Sequence, residues 1–225
     1  KVVDMGTYSP LDVYSIGMMY FKNMGSSEDE VLCRGITQDI LKDMGQINSL
    51  RIPSATEIDQ YQDTDLPISE VARRMQAEYM LIGSILKKGE TFTLSLEMKD
   101  MKSGTSSFEE TFNFKSIEIN TVKGEILLKI LGLFDLELPE HVQKYFEAQP
   151  TSNPEAMEHY IKARHLMDIP RSHDLLQKAR SHLLSATKLD PAFLNAHANK
   201  GWISFLEGNY DVAEEEFFFA LDLAS

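Results

Sequence analysis

Cysteine occurs once in the 225 residues, at Cys33, so the chain can close no disulfide within itself and can build no thiolate metal cluster. The bland role for that thiol is a half-buried small residue on a helix. No apolar run comes near the roughly 20 residues a membrane-spanning helix needs. The opening residues Lys1-Val2-Val3-Asp4 also lack the pattern of a signal peptide. Positive charge is scarce as well: 22 Lys and Arg stand against 35 Asp and Glu, a formal net charge of −13. Such a surface repels phosphate backbones and anionic headgroups unless a basic patch intervenes, and the sequence holds none. Nucleic acid and membrane are therefore not expected as partners.

The six histidines give no metal pattern. His159 and His165 are six apart and His173 and His182 nine apart, not the spacing that sets two ligands on one helical face. Asn23-Met24-Gly25-Ser26-Ser27 has one glycine, no lysine behind it and three acids ahead, which suits a helix cap better than a phosphate cradle. Asp12-Val13-Tyr14-Ser15-Ile16-Gly17 looks like a short kinase segment, but the glycine-rich and catalytic loops such a fold needs do not precede it. Paired acids such as Glu109-Glu110 and Glu214-Glu215-Glu216 read as solvated faces. No nucleophile, base and orienting group can be assembled, so the chain is expected not to be an enzyme and to hold no cofactor.

What is present is a change of periodicity along the chain. Residues 1–13 read as an irregular lead-in. An apolar run of strand length follows at 15–21, with a turn at 22–27 and a helix whose stripe is Leu32, Ile36, Ile40 and Met44, ended by Gly45. A second short strand is expected at 50–52, a polar loop at 60–65 and a helix at 68–75. Then comes a meander of three strands. In its middle strand Phe92, Leu94, Leu96 and Met98 alternate with polar residues, the period of a half-buried antiparallel strand. An apolar helix at 119–134 should cover it. The fold expected is α+β, a mixed sheet with packed helices over residues 1–138, joined by a linker with a short helix at 139–153 to an all-α domain at 154–225.

That last part repeats itself. Ala179, Leu183, Ala186 and Leu189 recur 34 residues later as Ala213, Phe217, Ala220 and Leu223, the period of a tetratricopeptide helical hairpin. Ala163 and Gly201, small residues where paired helices approach, are 38 apart, which places a four-residue insertion near 167–172. The second repeat keeps Gly201, Gly208, Tyr210 and Ala213 but carries His197, Lys200 and Ser204 where the pattern has apolar packing residues.

Ile16-Gly17-Met18 through Gly35-Ile36-Thr37, then Ala77-Glu78-Tyr79 through Gly83-Ser84, with Gly89, Asp100 and Gly104, resemble the amino-terminal α/β domain of TolB-like and FlgO-like proteins. Asn153-Pro154-Glu155-Ala156 with Tyr160 is similar to the way such domains lead into tetratricopeptide repeats in bacterial signalling proteins. The resemblance implies no known catalytic residues. It also implies a place behind a cyclase, kinase or DNA-binding domain, as expected for a piece of a longer protein.

The function expected on these grounds is a protein-interaction scaffold of a larger signalling protein, cytoplasmic, or periplasmic behind a membrane segment. The alternative is a small-molecule or nucleotide sensor using the α/β part. Homo-oligomers are compatible with either. Trp202 falls on the concave face of such arrays with Asn195 and Asn199, and an aromatic there can anchor a peptide. Tyr160 and Arg164 stand in the first repeat where a carboxylate clamp would have Lys and Asn. These five residues form the expected protein- or peptide-binding set.

Overall fold

The structure, a computed structural model, describes residues 13–62, 64–138, 140–169 and 172–224, side chains of residues 140 and 141 excepted. Of the lead-in expected at residues 1–13, all but residue 13 lies outside the described residues, as does part of the insertion near 167–172.

Strand β1 (Tyr14–Met18) sits inside the sheet, flanked by β3 (Leu50–Arg51) and β4 (Tyr79–Lys88), both parallel to it. Burial on both faces explains its unbroken apolar sequence: Ile16 and Met18 enter the main core, while Gly17 lies against Met75 and Ala77. Residues 22–27, expected to turn, include a two-residue strand β2 (Lys22–Asn23) that runs parallel to β4. Strands β4, β5 (Thr91–Asp100) and β6 (Ser106–Lys115) form the antiparallel meander, giving the order β3-β1-β4-β5-β6. The alternation read in β5 is realised: Phe92, Leu94, Leu96 and Met98 are all buried.

Helix α1 (Glu30–Met44) follows a 3-10 turn whose first amide, that of Glu28, is accepted by the Ser26 side chain. The short helix α2 (Ala55–Asp59) occupies a stretch whose sequence shows no readable period. Ser54 and Glu57 cap it reciprocally, and the Tyr20 hydroxyl donates to Asp59 at 2.9 Å. Helix α3 (Ile68–Met75) closes the second face of the sheet at β1 and β4 through Val71, Ala72 and Met75 on Met80. Beyond α3 that face is polar, with Thr93 on Asn113 and Ser95 on Thr111.

Helix α4 (Ile119–Gly132) shares the main core with β5 and β6, and α5 (Glu140–Glu147) packs on it, the Phe146 ring lying where a Cβ on Gly124 would be. Two antiparallel helical pairs complete the chain: α6 (Pro154–Asp168) with α7 (His173–Leu189), and α8 (Leu194–Leu206) with α9 (Tyr210–Leu223). Asn153 caps α6 by accepting from Ala156 N, with Pro154 in the first turn as expected. Helix α6 also packs on α1, and one buried apolar cluster runs from Ile16 of β1 to Ile203 of α8. Among the described residues no helix is long and apolar enough to cross a membrane.

Candidate functional site

Helices α1 and α6 approach closely at Gly35, where a Cβ would lie 2.8 Å from Ile161 Cγ2 and 3.0 Å from the Ile161 carbonyl oxygen. Around that contact the seam is polar. Gln38 Oε1 meets His165 Nδ1 at 2.6 Å, and Asp39 pairs with Arg164 at 3.2 Å. Lys42 pairs with Asp168, while Lys87 of β4 holds Glu158 at 2.7 Å. One turn beyond Asp39, Asp43 faces Lys123 of α4, their charged atoms 2.9 Å apart. Two buried carboxylates on one side of α1 are thus matched by two cations from different helices. Burial raises the Asp43 carboxyl above its usual range, with Lys123 only partly offsetting it. For Arg164, burial is the largest single effect and works against the charge, yet Asp39, Tyr160, Tyr145 and Asp168 together outweigh it and the guanidinium is held more firmly protonated.

Two of the residues expected to line a binding groove belong to this seam. Tyr160 is 8% exposed, packs on Phe193 with ring centroids 4.8 Å apart, and lies beneath the Arg164 guanidinium. Burial pushes its hydroxyl up to about 12, while a hydrogen bond with Asn199 acts in the other direction. The structure therefore brings Tyr160, Arg164 and Asn199 together, with Arg164 spent on Asp39. Asn195 lies half-buried one turn earlier on α8.

Trp202 stands apart from them. It is 45% exposed and stacks on Phe205, itself 46% exposed, with centroids 5.4 Å apart. Phe205 meets Tyr210 edge-on at 5.7 Å. The row is held from beneath by α9: a Cβ on Gly201 would lie 2.9 Å from the Phe217 ring, so a side chain there would part the two helices. The three polar departures from the expected pattern all find polar partners, in two separate sets. His197 and Lys200 both bond Glu216, at 2.9 and 2.6 Å, and Arg180 donates to Ser204 at 3.3 Å. Glu216 thus has a structural role, whereas Glu214 and Glu215 are exposed as expected of a solvated face. Despite its own partial burial, Glu216 has its carboxyl held below the ordinary range by Lys200 and His197.

Reasoning within single helices missed one histidine pair. His159 of α6 and His182 of α7 meet across the hairpin, Nδ1 to Nδ1, at 2.9 Å. Burial, then His159 and Lys162, bring His182 down to about 4; burial, then Lys162, also lowers His159. Among the described residues no group of three or more His, Cys, Asp or Glu could hold a metal. Cys33, expected half-buried, is fully buried in the core, and burial with Glu30 and Asp29 nearby pushes its thiol up to about 12, far from the thiolate a nucleophile requires.

No family model matches the chain. Over 194 residues, 86% of its length, it is 23% identical to a protein of Rhizobium meliloti (strain 1021) named putative adenylate cyclase 3, of which it spans 33%. The chain thus corresponds to about one third of that relative. Solved structures that resemble it include TolB from Acinetobacter baumannii, at 10% identity over 54% of this chain and 28% of that one, with a TM-score of 0.39. The carboxy-terminal domain of LpoB from Escherichia coli is another, at 14% identity over 45% and 82%, with a TM-score of 0.36. Likenesses this distant carry no functional argument. The cyclase-named relative does correct one expectation, that the chain is no enzyme. That expectation rested on failing to assemble catalytic groups from local motifs, and such a search sees only the residues of the matched third.

Proposed function

We propose that the chain is the protein-binding, regulatory part of a multidomain protein of the nucleotide-cyclase type. In this reading residues 1–138 form a TolB/FlgO-like α/β domain, 139–153 a linker, and 154–225 two tetratricopeptide repeats. A cyclase draws on the nucleotide pool, so the cytoplasm is the compartment that goes with this reading.

The observation that carries this reading is the aromatic row Trp202, Phe205 and Tyr210, exposed on a hairpin joined through α6 and α7 to the α/β part. Exposed rings on a rigid support lose little entropy on binding, and Trp and Tyr are enriched among residues that dominate interfaces. Asn195 and Asn199 on the same helix supply polar groups for a peptide backbone. Tyr160 and Arg164 would act beneath them as support, since Arg164 is already paired.

A peptide library displayed on phage and panned against the full chain tests the reading. Selected peptides should lose about 30-fold in affinity on Trp202→Ala, the scale of a binding hot spot of ~2 kcal/mol. Peptides that bind Trp202→Ala and Phe205→Ala as tightly as the native chain would sink it.

A further inference from the structure

Strand β6 is the end of the sheet, and among the described residues no further strand pairs with it. In an antiparallel ladder alternate residues of an end strand point their N–H and C=O groups away from their neighbour, a template for another chain. The first half of β6 is guarded. The register shifts between Met98 and Lys99, leaving Ser107 as an extra residue, and Glu110 turns inward to pair with Lys129 of α4 at 2.6 Å. Bulges and inward charges of this kind keep end strands from joining at random. Residues 111–115 carry neither device, and among them the Lys115 amide already donates to Glu118 Oε2 at 2.7 Å, which sets one end of the open stretch.

Beside that open half lies a groove between β6 and α4 of about 390 Å³, floored by Phe112, Phe114 and Val122. It adjoins a second hollow of about 360 Å³ between α4 and α5, lined by Leu128, Leu138 and Phe146, and the two share Thr121 and Glu125. Glu118, Glu125 and Glu147 stand exposed along them. On the other side of the strand Glu109 lies directly opposite Glu97. An added strand would therefore meet carboxylates on both of its faces.

We propose that residues 111–115 of β6 are a strand-addition site that takes an extended segment of a protein partner in which Lys or Arg alternates with uncharged polar residues, the basic ones on the α4 side and the others over the polar face. The partner's backbone completes the ladder. Its long basic side chains lay their aliphatic stems over Phe112 and Val122 and bring their charged heads to Glu118 and Glu125. This surface lies on β6, α4 and α5 and involves none of the aromatic row on α8 and α9, so the two proposals stand or fall separately.

The probe is a fluorescein-labelled peptide of alternating lysine and threonine, about eight residues long, close to an ordinary strand. Its binding to the full chain is followed by anisotropy, and the site is located by amide hydrogen exchange. The peptide should bind and slow exchange within residues 111–115. Reversing the exposed charge, Glu125→Lys, should weaken it by about tenfold at low salt. A version with glutamate for lysine, and one with proline at two central positions, should not bind. The proposal is overturned if the lysine and glutamate peptides bind alike, or if Glu125→Lys and Glu147→Lys both leave affinity unchanged. Protection that appears only outside residues 111–115 would overturn it too. So would protection of 111–115 that grows with protein concentration when no peptide is present, because the occupant would then be a second copy of the chain.

Discussion

Arg164 and Trp202 occupy the same place in their two hairpins, each directly after the small residue, Ala163 or Gly201, at which its helix meets its partner. One is consumed and the other is free. Arg164 reaches Asp39 of α1 and covers Tyr160, whereas Trp202 is 45% exposed and touches Phe205 on its own helix. The first hairpin uses Tyr160 and Arg164 to seat itself on α1, and the second leaves the corresponding face open. Position within a repeat therefore does not assign a role by itself. What a residue does is decided by the element that comes to lie against it.

The largest expected effect is on the seated side. Arg164→Ala removes the partner of a nearly buried carboxylate, a change that costs about 3 kcal/mol because Asp39 stays charged and desolvated. In a chain of this size that corresponds to a fall of roughly 6–12 °C in Tm, measurable by calorimetry. The double variant Asp39→Asn with Arg164→Met should recover much of the loss, since neither charge is then buried alone. A Tm for Arg164→Ala within a degree of the native value would mean that the seam does not hold the first hairpin.

Much of this architecture is legible in the sequence, and the illegible parts share a cause. The alternation from Phe92 to Met98, the cap at Asn153 and the close approach at Gly201 are local signals, and each is realised. Helix α2 carries its capping box in plain view at Ser54 and Glu57, but five residues are too few to display a helical period. The pairing of Lys22 and Asn23 with β4 leaves no apolar trace, because two polar residues at a sheet margin need none. The seam could have been suspected from Asp39 and Asp43, acids one turn apart on a helix whose other faces are largely apolar. Nothing local says that their cations come from α4 and α6. The expected groove set mixed Arg164 with Trp202 for the same reason: the repeat pattern fixes position along a helix and not the neighbour it meets.

A middle-sized effect tests the seated hairpin through pH. His182 titrates near 4 in the folded chain against an ordinary 6.5, and His159 is lowered with it. The folded state therefore takes up protons less readily than the unfolded one. Stability from this pair is fully present above about pH 6.5 and is lost as the pH falls toward 4. After allowance for solvent screening of half-buried rings, the loss is about 1–2 kcal/mol. The groups facing the pair, Glu155, Glu158 and Lys162 of α6, remain in His182→Gln. Denaturant melts between pH 7 and 4 should thus show a shallower decline in that variant than in the native chain. Parallel declines would show that other groups govern the acid limb.

An effect no larger belongs to the open side and completes the contrast. Trp202→Ala gives up one stacking contact with Phe205 and the covered part of a ring that is 45% exposed, so it should cost about 1–2 kcal/mol in a denaturant melt, against about 3 for Arg164→Ala at the matching position. A residue that costs less to lose from the folded chain, yet is large, aromatic and turned outward, is better placed to contact a partner than to support the fold. Trp202→Ala as destabilising as Arg164→Ala would erase that distinction, since the tryptophan would then be structural and both hairpins would be fully engaged in holding the fold.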